Sequence, residues 1–217
     1  MQVIKYRDIL LEKNIETARE IIANDGVIVY PTDTLYGLGG NFFSLAVIEK
    51  IDAVKNRRDM PYSVMVSGLN MVYGLVDAVP DVFHELYQKI LPGEFTFLFP
   101  VSKSINPELV KGTGKIGIRI PNVPGMLRLI EILDVPLVST SVNRSGQPPL
   151  NDPAAILREF SGIQAQEQHV VTLLIDAGLL PESGGSTILD LTQSPIKCLR
   201  RGDGFELLKK LDIHIVS

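Results

Sequence analysis

Residues 27–40 read VIVYPTDTLYGLGG, an apolar run that ends at a proline and continues as threonine, aspartate and glycine. Val27–Tyr30 is typical of a strand that is buried on both faces and stopped by the proline. The helix before it is predicted to have Asn14 as its N-cap and to end before Gly26. Because ligands of open α/β sheets bind beyond strand ends, Pro31–Gly40 is predicted to be a binding loop. The alternative is a tight turn whose threonines cap its own backbone.

Helical and extended patterns alternate along the rest of the chain, which predicts an α/β sheet with helices packed on it. The connection Gly178–Gly185 carries no helix, so some strand pairs are expected to be antiparallel and the sheet mixed. We find no linker or fixed-period repeat and expect one domain over residues 1–217, with a core from about residue 14 to about residue 205. Further helices are predicted over Ser44–Val54, Asp81–Ile90, Pro124–Leu133 and Pro153–Phe160, and strands over Tyr62–Val66, Phe95–Phe99, Ile116–Ile120, Pro136–Thr140, Val171–Ile175, Thr187–Asp190 and Ile196–Leu199.

Composition excludes several classes of protein. The 217 residues carry 21 Lys and Arg against 25 Asp and Glu, a net charge of -4, so a surface that is basic overall is excluded. The chain is 45% hydrophobic, which predicts a folded globular protein, yet no apolar stretch reaches the roughly 18 residues of a membrane span. The start has no signal-peptide pattern, and we expect a cytoplasmic location. Cys198 is the only cysteine and His84, His169 and His214 are far apart in sequence, so no disulfide and no metal site built from side chains are predicted.

A cluster of cations, Lys55-Asn56-Arg57-Arg58, follows a predicted helix and precedes Pro61 and Ser63. Lysine supplies a point charge and arginine a planar fork, a combination that suits the oxygens of a triphosphate. The alternative is that Lys55 and Arg58 complement the C-terminus of the helix and are otherwise solvated.

Strand alternation in Ile116–Ile120 places three isoleucines on one face and Gly117 with Arg119 on the other. An arginine on such a strand needs an anionic partner if it is buried. The partner is either an anionic ligand or an acidic residue of the chain in a structural ion pair.

Hydroxyl groups recur at later strand ends. Ser139, Ser141 and Asn143 share a face if their segment stays extended, which suits a sugar, a base edge or phosphate oxygens. A serine nucleophile is not favoured, because no Gly-x-Ser-x-Gly elbow surrounds these serines and no histidine is near in sequence. A capped loop is the alternative. The GGST turn at 184–187 and the pair Arg200-Arg201 are weak signals individually.

Seven short motifs occur in one order along the chain. They are PTDTLYGLG (31–39), KNR (55–57) with Pro61 and Ser63, PGEFT (92–96), GIRIP (117–121), STSVNRSG (139–146), GGSTILD (184–190) and LRRG (199–202). In this order they resemble the YrdC-type threonylcarbamoyl-AMP synthases, over nearly the whole chain. The resemblance implies a twisted mixed sheet with a large, concave, basic cleft. It also implies a nucleotidyltransferase that combines L-threonine, bicarbonate and ATP into L-threonylcarbamoyladenylate and pyrophosphate.

The resemblance further implies a cofactor and partners. Mg²⁺ would enter with ATP and bridge phosphate oxygens. A downstream transferase complex would then move the threonylcarbamoyl group to an adenosine beside the anticodon of tRNA. Weak binding of tRNA or other RNA by the chain itself is compatible with this fold, and a membrane partner is not expected.

Two groups of site residues are implied by the same resemblance. ATP is expected to contact Lys55, Arg57, Ser63, Thr113, Ser141, Asn143 and Arg200. Of these, Lys55 and Arg57 are the expected catalytic residues. Threonine is expected to contact Thr34, Tyr36, Arg119 and Ser186, with Arg119 suited to its carboxylate.

The sequence departs from the family pattern at three places. The stretch Lys55–Pro61 is one residue shorter than expected, with Arg58 where proline is common, so either Arg57 or Arg58 grips phosphate. Val142 stands where alanine is common. The chain ends soon after the last motif, as in the short form of the family, which lacks the C-terminal domain of the long form.

Two other functions fit the same motifs. One is an RNA-binding module on this fold, which the net negative charge disfavours. The other is a paralogue that binds nucleotide but uses a different amino acid.

Overall fold

The computed structural model of the protein describes residues 1–56, 60–161, 170–211, 213 and 215–216. This part of the chain forms eleven strands, seven α-helices and two short 3-10 turns, at Tyr6–Asp8 and Pro107–Val110. The helices are α1 (Glu12–Ala23), α2 (Leu45–Lys55), α3 (Leu69–Leu75), α4 (Asp81–Ile90), α5 (Pro124–Leu133), α6 (Pro153–Ser161) and α7 (Phe205–Leu208). The strands are β1 (Gln2–Lys5), β2 (Val27–Pro31), β3 (Tyr36–Gly39), β4 (Ser63–Met65), β5 (Phe95–Pro100), β6 (Lys115–Arg119), β7 (Leu137–Ser141), β8 (Val171–Asp176), β9 (Thr187–Asp190), β10 (Ile196–Arg200) and β11 (Ile215–Val216).

The strands join one open sheet in the order β1-β8-β2-β3-β7-β4-β6-β5-β9-β10-β11. The pairs β1–β8, β8–β2, β4–β6, β5–β9 and β10–β11 are parallel. The pairs β2–β3, β3–β7, β7–β4, β6–β5 and β9–β10 are antiparallel. The predicted mixed α/β sheet is therefore confirmed.

Apolar side chains cover both faces of the middle of the sheet. Along β2, Val27 and Val29 belong to the larger apolar cluster, whereas Ile28 and Tyr30 belong to a second cluster. Successive side chains of a strand point to opposite faces, so β2 is buried on both sides, as predicted. The larger cluster includes residues of α2 and α4, and the second includes residues of α1 and α5.

The predicted binding loop Pro31–Gly40 contains a strand. β3 pairs antiparallel with β2, so the segment is a β-hairpin with Thr32–Leu35 at its turn. Gly39 allows β3 to approach β7 closely, because a Cβ there would lie 1.7 Å from the carbonyl oxygen of Val138. A glycine-rich segment has little β propensity, which is why the sequence pattern indicated a loop.

Two further expectations are corrected by the structure. Helix α1 begins at Glu12, and Asn14 is not its N-cap but lies inside it and donates from Nδ2 to the carbonyl oxygen of Asp8 at 2.7 Å. Gly178–Gly185 does not join neighbouring strands, because β8 lies between β1 and β2 whereas β9 lies between β5 and β10. The connection links two distant parts of the sheet. Among the described residues, no helix combines the length and hydropathy of a membrane span.

Candidate functional site

A cleft of about 830 Å³ opens on one face of the sheet. Its floor is made by small residues of three strands, where Ser139 of β7 pairs with Ser63 of β4, and Ser63 pairs with Gly117 of β6. These residues alternate with Val138, Val64 and Ile118 of the larger apolar cluster, so the cleft lies on the opposite face. A volume of this size is typical of sites for cofactor-sized ligands.

Arg119 lies at one end of this floor, with 10% of its side chain exposed. Its Nη2 donates to Asp33 Oδ1 at 3.1 Å and to Thr34 Oγ1 at 3.0 Å. Its Nε is buried without a hydrogen-bond partner among the described residues. Burial lowers the pKa of the guanidinium and Asp33 opposes that change, and arginine is strongly basic enough to stay charged. The structural ion pair, one of the two alternatives of the sequence analysis, is therefore present, whereas the anionic ligand stays a prediction.

Thr34 is presented by the turn of the hairpin. Thr32 Oγ1 donates to the carbonyl oxygen of Leu35 at 2.6 Å and accepts from the backbone N–H of Thr34 at 3.2 Å. Asp33 Oδ2 accepts from the backbone N–H of Asn122 at 2.8 Å. The side chain of Thr32 thus caps the backbone of the turn, as the alternative of a tight turn predicted. The turn also places the side chains of Asp33 and Thr34 against Arg119.

Ser186 and Arg200 form one hydrogen-bonded unit on the cleft wall. Arg200 donates from Nε to the carbonyl oxygen of Ser186 at 2.9 Å and from Nη2 to its Oγ at 3.0 Å. The same Oγ is 2.7 Å from Thr96 Oγ1. Burial lowers the pKa of Arg200, and the positive charge of Arg119 lowers it further, so the two guanidinium groups act on each other. An anion between them would relieve that repulsion.

Lys55 lies at the other end of the cleft, where it is buried with 4% of the residue exposed. Its Nζ donates to the carbonyl oxygens of Ser141 at 2.9 Å and Asn143 at 3.1 Å, and also to Asn143 Oδ1. Ser141 Oγ donates to the same Oδ1 at 2.7 Å. The end of helix α2 and the end of strand β7 are thereby joined, and Lys55, Ser141 and Asn143 all line the cleft.

One residue of the turn before β6 and the first residue of β6 also reach the cleft. Thr113 Oγ1 donates to the carbonyl oxygen of Val110 at 2.9 Å, so its hydroxyl holds the turn. Lys115 lines the cleft on the same face of β6 as Gly117 and Arg119, and its Nζ donates to Asp190 Oδ2 at 2.9 Å. The side chain of Lys115 is 44% exposed. Lys115 was not among the predicted site residues.

The hydroxyl of Tyr36 is engaged by the connection between β8 and β9. It donates to the carbonyl oxygen of Gly178 at 2.7 Å and accepts from the backbone N–H of Ala177 at 2.9 Å. Burial raises the pKa of Tyr36 to about 12, so the phenol keeps its proton at neutral pH. Tyr36 lines the cleft, and its hydroxyl anchors the start of the segment that ends at Ser186.

The structure brings most predicted site residues to this cleft. They are Tyr36, Lys55, Ser63, Thr113, Arg119, Ser141, Asn143, Ser186 and Arg200. Thr34 reaches it through its hydrogen bond to Arg119. Arg57 lies outside the described residues, as does Arg58. Lys115 and Thr96 also line the cleft and were absent from the predicted set, although strand alternation in β6 extends from Arg119 back to Lys115.

Comparisons with known proteins connect this cleft to relatives. The family model Sua5_yciO_yrdC, described as telomere recombination, matches residues 20–202. A Mycobacterium leprae protein provisionally named threonylcarbamoyl-AMP synthase is 31% identical over 191 residues, which are 88% of this chain and 83% of that protein.

Two solved structures extend the comparison. Pyrococcus abyssi Sua5 complexed with L-threonine is 25% identical, with a TM-score of 0.86 over 99% of this chain and 62% of that chain. E. coli YciO is 29% identical, with a TM-score of 0.78 over 88% of this chain and 90% of that chain. The chain therefore spans less than two thirds of the Sua5 chain and most of the YciO chain, and it shares their α/β fold.

Proposed function

Because the chain belongs to the Sua5/YciO/YrdC family, we propose that it is an L-threonylcarbamoyladenylate synthase that uses L-threonine, bicarbonate and ATP and releases pyrophosphate. The M. leprae relative is named for the same product, and P. abyssi Sua5 forms a complex with L-threonine. The single observation that carries the proposal in this chain is the buried Nε of Arg119 beside the cleft, which has no hydrogen-bond partner among the residues that the structure describes.

The Arg119 end of the cleft is the proposed threonine site. A carboxylate in the cleft would accept from Arg119 Nε and give this buried donor the partner that a protein interior normally provides. Thr34 and Ser186 place hydroxyl groups beside the two guanidinium groups, and these can contact the remaining polar atoms of an amino acid.

The Lys55 end is the proposed nucleotide site. The described oxygens around Lys55 belong to neutral main-chain and amide groups. Its ammonium group is a compact charge, which suits phosphate oxygens over the short distances inside a partly dry cleft. Ser63, Ser141 and Asn143 add polar groups on the same side.

The reaction needs positioning more than covalent catalysis. The threonine amine attacks the carbon of bicarbonate, water leaves, and a carbamate forms. A carbamate oxygen then attacks the α-phosphorus of ATP, and pyrophosphate leaves. Fixed cations that face the phosphate groups stabilise the charge that moves to the leaving group. Threonine bound at one end of the cleft and ATP bound at the other would meet in its middle.

Mg²⁺ is expected to arrive as the ATP complex. The part of the chain that the structure describes contains no cluster of three or more Asp, Glu, His or Cys side chains that fits a metal ion. Phosphate oxygens and water would supply its ligands, because Mg²⁺ commonly keeps several waters when it binds substrate phosphates. Its contribution is to neutralise phosphate charge.

The test is pyrophosphate release by the purified chain with ATP and Mg²⁺, with L-threonine and bicarbonate each present or omitted. Release that needs both substrates, and that Lys55→Ala abolishes, is the expected result. Lys50→Ala is the matched control, because Lys50 is on the same helix and donates to the carbonyl oxygen of Asp25 at 2.6 Å, outside the cleft lining.

Absence of release from folded protein would contradict the proposal. An amino-acid panel in the same assay then identifies a paralogue with another substrate. A titration with RNA at several salt concentrations identifies an RNA-binding module instead, because RNA contacts weaken steeply with salt. Transfer of the product to tRNA by a partner complex is the expected next step.

A further inference from the structure

Asp52 on helix α2 is a buried carboxylate outside all seven motifs, with 7% of the residue exposed. Its Oδ1 accepts from the hydroxyl of Tyr62 at 2.7 Å. Its Oδ2 accepts from Nζ of Lys111, whose side chain is 17% exposed. One side chain therefore joins two segments that are far apart in the sequence.

Both partners of Asp52 adjoin residues of the cleft. Tyr62 stands between Pro61 and Ser63, and all three line it. Lys111 begins the turn that leads to Thr113 and Lys115, which line it as well. The carboxylate of Asp52 thus links the segment Pro61–Ser63 to the segment Lys111–Lys115, and residues of both segments line the cleft.

The turn after Lys111 combines backbone hydrogen bonds with side-chain anchors. Lys111, Gly112 and Gly114 all have positive φ, at 53°, 67° and 68°. A Cβ at Gly112 or Gly114 would meet no heavy atom within 4 Å, so packing does not confine this turn. Backbone hydrogen bonds of Lys111, Gly112, Thr113 and Gly114 hold the turn, and the ion pair with Asp52 and the hydroxyl bond of Thr113 add side-chain anchors to it.

The Pro61–Ser63 and Lys111–Lys115 segments lie at the end of the cleft away from Arg119. Lys115 and Arg119 are four residues apart on one strand, which corresponds to about 13 Å. An amino acid held by its carboxylate at Arg119 would therefore leave the Lys115 end to the nucleotide.

We propose that Asp52 is a positioning residue that holds the Pro61–Ser63 and Lys111–Lys115 segments in the geometry that binds the nucleotide. The identity of that nucleotide as ATP rests on the proposed function. Removing one partner of a buried ion pair leaves the other charge uncompensated, so the turn carrying Lys111 should move toward water. Tyr62 has further contacts, so the loss of its bond to Asp52 alone should have the smaller effect.

The experiment measures ATP and threonine binding by calorimetry and pyrophosphate release kinetically, on the full chain. For Asp52→Asn, the amide can still accept from Tyr62 but cannot pair with Lys111. We expect its Kd and KM for ATP to rise about tenfold, the loss expected of one charge-assisted bond. The Kd for threonine should stay within about twofold, and Tyr62→Phe should raise the Kd for ATP about threefold.

Asp77→Asn is the matched control. Asp77 accepts from Ser102 Oγ and from the backbone N–H of Lys103, so it also joins two segments, but none of these residues lines the cleft. This variant should keep the wild-type Kd for ATP. A purely structural role for Asp52 would lower the melting temperature and the active fraction but leave the Kd for ATP unchanged.

The outcomes separate this inference from the proposed function. If the wild type binds ATP but releases no threonine-dependent pyrophosphate, the proposed synthase activity fails and the calorimetric comparison still decides the role of Asp52. If Asp52→Asn binds ATP like the wild type, or loses ATP and threonine affinity equally, the inference is overturned. It is also overturned if the wild type binds no ATP.

Discussion

The two ends of the cleft hold their cations in different ways. Arg119 has a carboxylate partner, Asp33, and a hydroxyl partner, Thr34, and it keeps one buried N–H without a partner in the described chain. Lys55 is surrounded by neutral oxygens of Ser141 and Asn143 that accept from its ammonium group. The first end offers a directed N–H donor of a planar guanidinium group, and the second offers a compact ammonium group.

This difference suits different ligand groups. A carboxylate is planar and is recognised by the direction of the N–H groups that face it. A triphosphate carries more charge and less fixed geometry, so a compact ammonium group is suited to it. The proposed function places the amino acid at the Arg119 end and the nucleotide at the Lys55 end, and substitutions test this division, from the largest expected effect to the smallest.

The largest effect is expected from substitutions of the two cations, Arg119 at one end and Lys55 at the other. Arg119→Lys keeps the positive charge but loses the planar fork, so kcat/KM for threonine should fall about a hundredfold while the Kd for ATP stays unchanged. Lys55→Ala should show the opposite pattern, with lost turnover, weaker ATP binding and unchanged threonine binding. Calorimetry with each ligand and steady-state pyrophosphate release measure the two patterns.

Circular dichroism and melting temperatures serve as the folding control for both variants. An equal loss of both ligands in either variant would contradict the division of the cleft. Retention of threonine affinity in Arg119→Lys would show that charge alone is sufficient there and would remove the contrast with Lys55.

A smaller effect is expected at the anchor that joins the cleft to the β8–β9 connection. Tyr36→Phe leaves Gly178 carbonyl and Ala177 N–H without their partner and should lower the free energy of unfolding by about 1–2 kcal/mol. Because the connection ends at Ser186, KM for threonine should rise a few-fold while KM for ATP is unchanged. Urea unfolding and steady-state kinetics measure the two effects, and an unchanged KM for threonine would limit Tyr36 to stability.

Since burial raises the pKa of Tyr36 to about 12, its phenol should remain protonated across the range in which the enzyme is assayed. A loss of activity between pH 8 and pH 10 should therefore be the same in wild type and Tyr36→Phe. A loss present only in the wild type would show that the phenol titrates there.

Local patterns predicted much of the fold. Helices α4 and α5 have the predicted bounds, and β2 is buried on both faces, because periodicity and continuous apolar runs are properties of one segment. The hairpin strand β3 was predicted as a loop, since Gly37 and Gly39 have no side chains to show alternation. The order of the strands depends on pairing between distant segments, and it is not encoded in any single one.

The site residues, like the elements of the fold, could be predicted from the sequence only in part. The residue types at Lys55 and Arg119 predicted anion binding, the family resemblance added Ser186, and the structure brings all three to one cleft. The partner of Arg119 could not be identified, because Asp33 is 86 residues away and several other acids were equally available. Asp52, Tyr62 and Lys111 gave no signal at all, since their connection exists only after the chain has folded.

The smallest predicted effect concerns Asp190, the partner of Lys115 at the nucleotide end. Burial raises the pKa of Asp190, but hydrogen bonds from Thr192 and Lys115 outweigh that and hold it below its ordinary value of 3.8. A carboxyl group with a lowered folded pKa contributes stability above its unfolded pKa and loses it as pH falls through the folded pKa. Wild-type stability should therefore fall below about pH 4 more steeply than that of Asp190→Asn, by at most about 1.4 kcal/mol per pH unit, the slope of one proton. Urea unfolding between pH 7 and pH 2.5 measures this, and parallel curves would show that Asp190 does not hold Lys115.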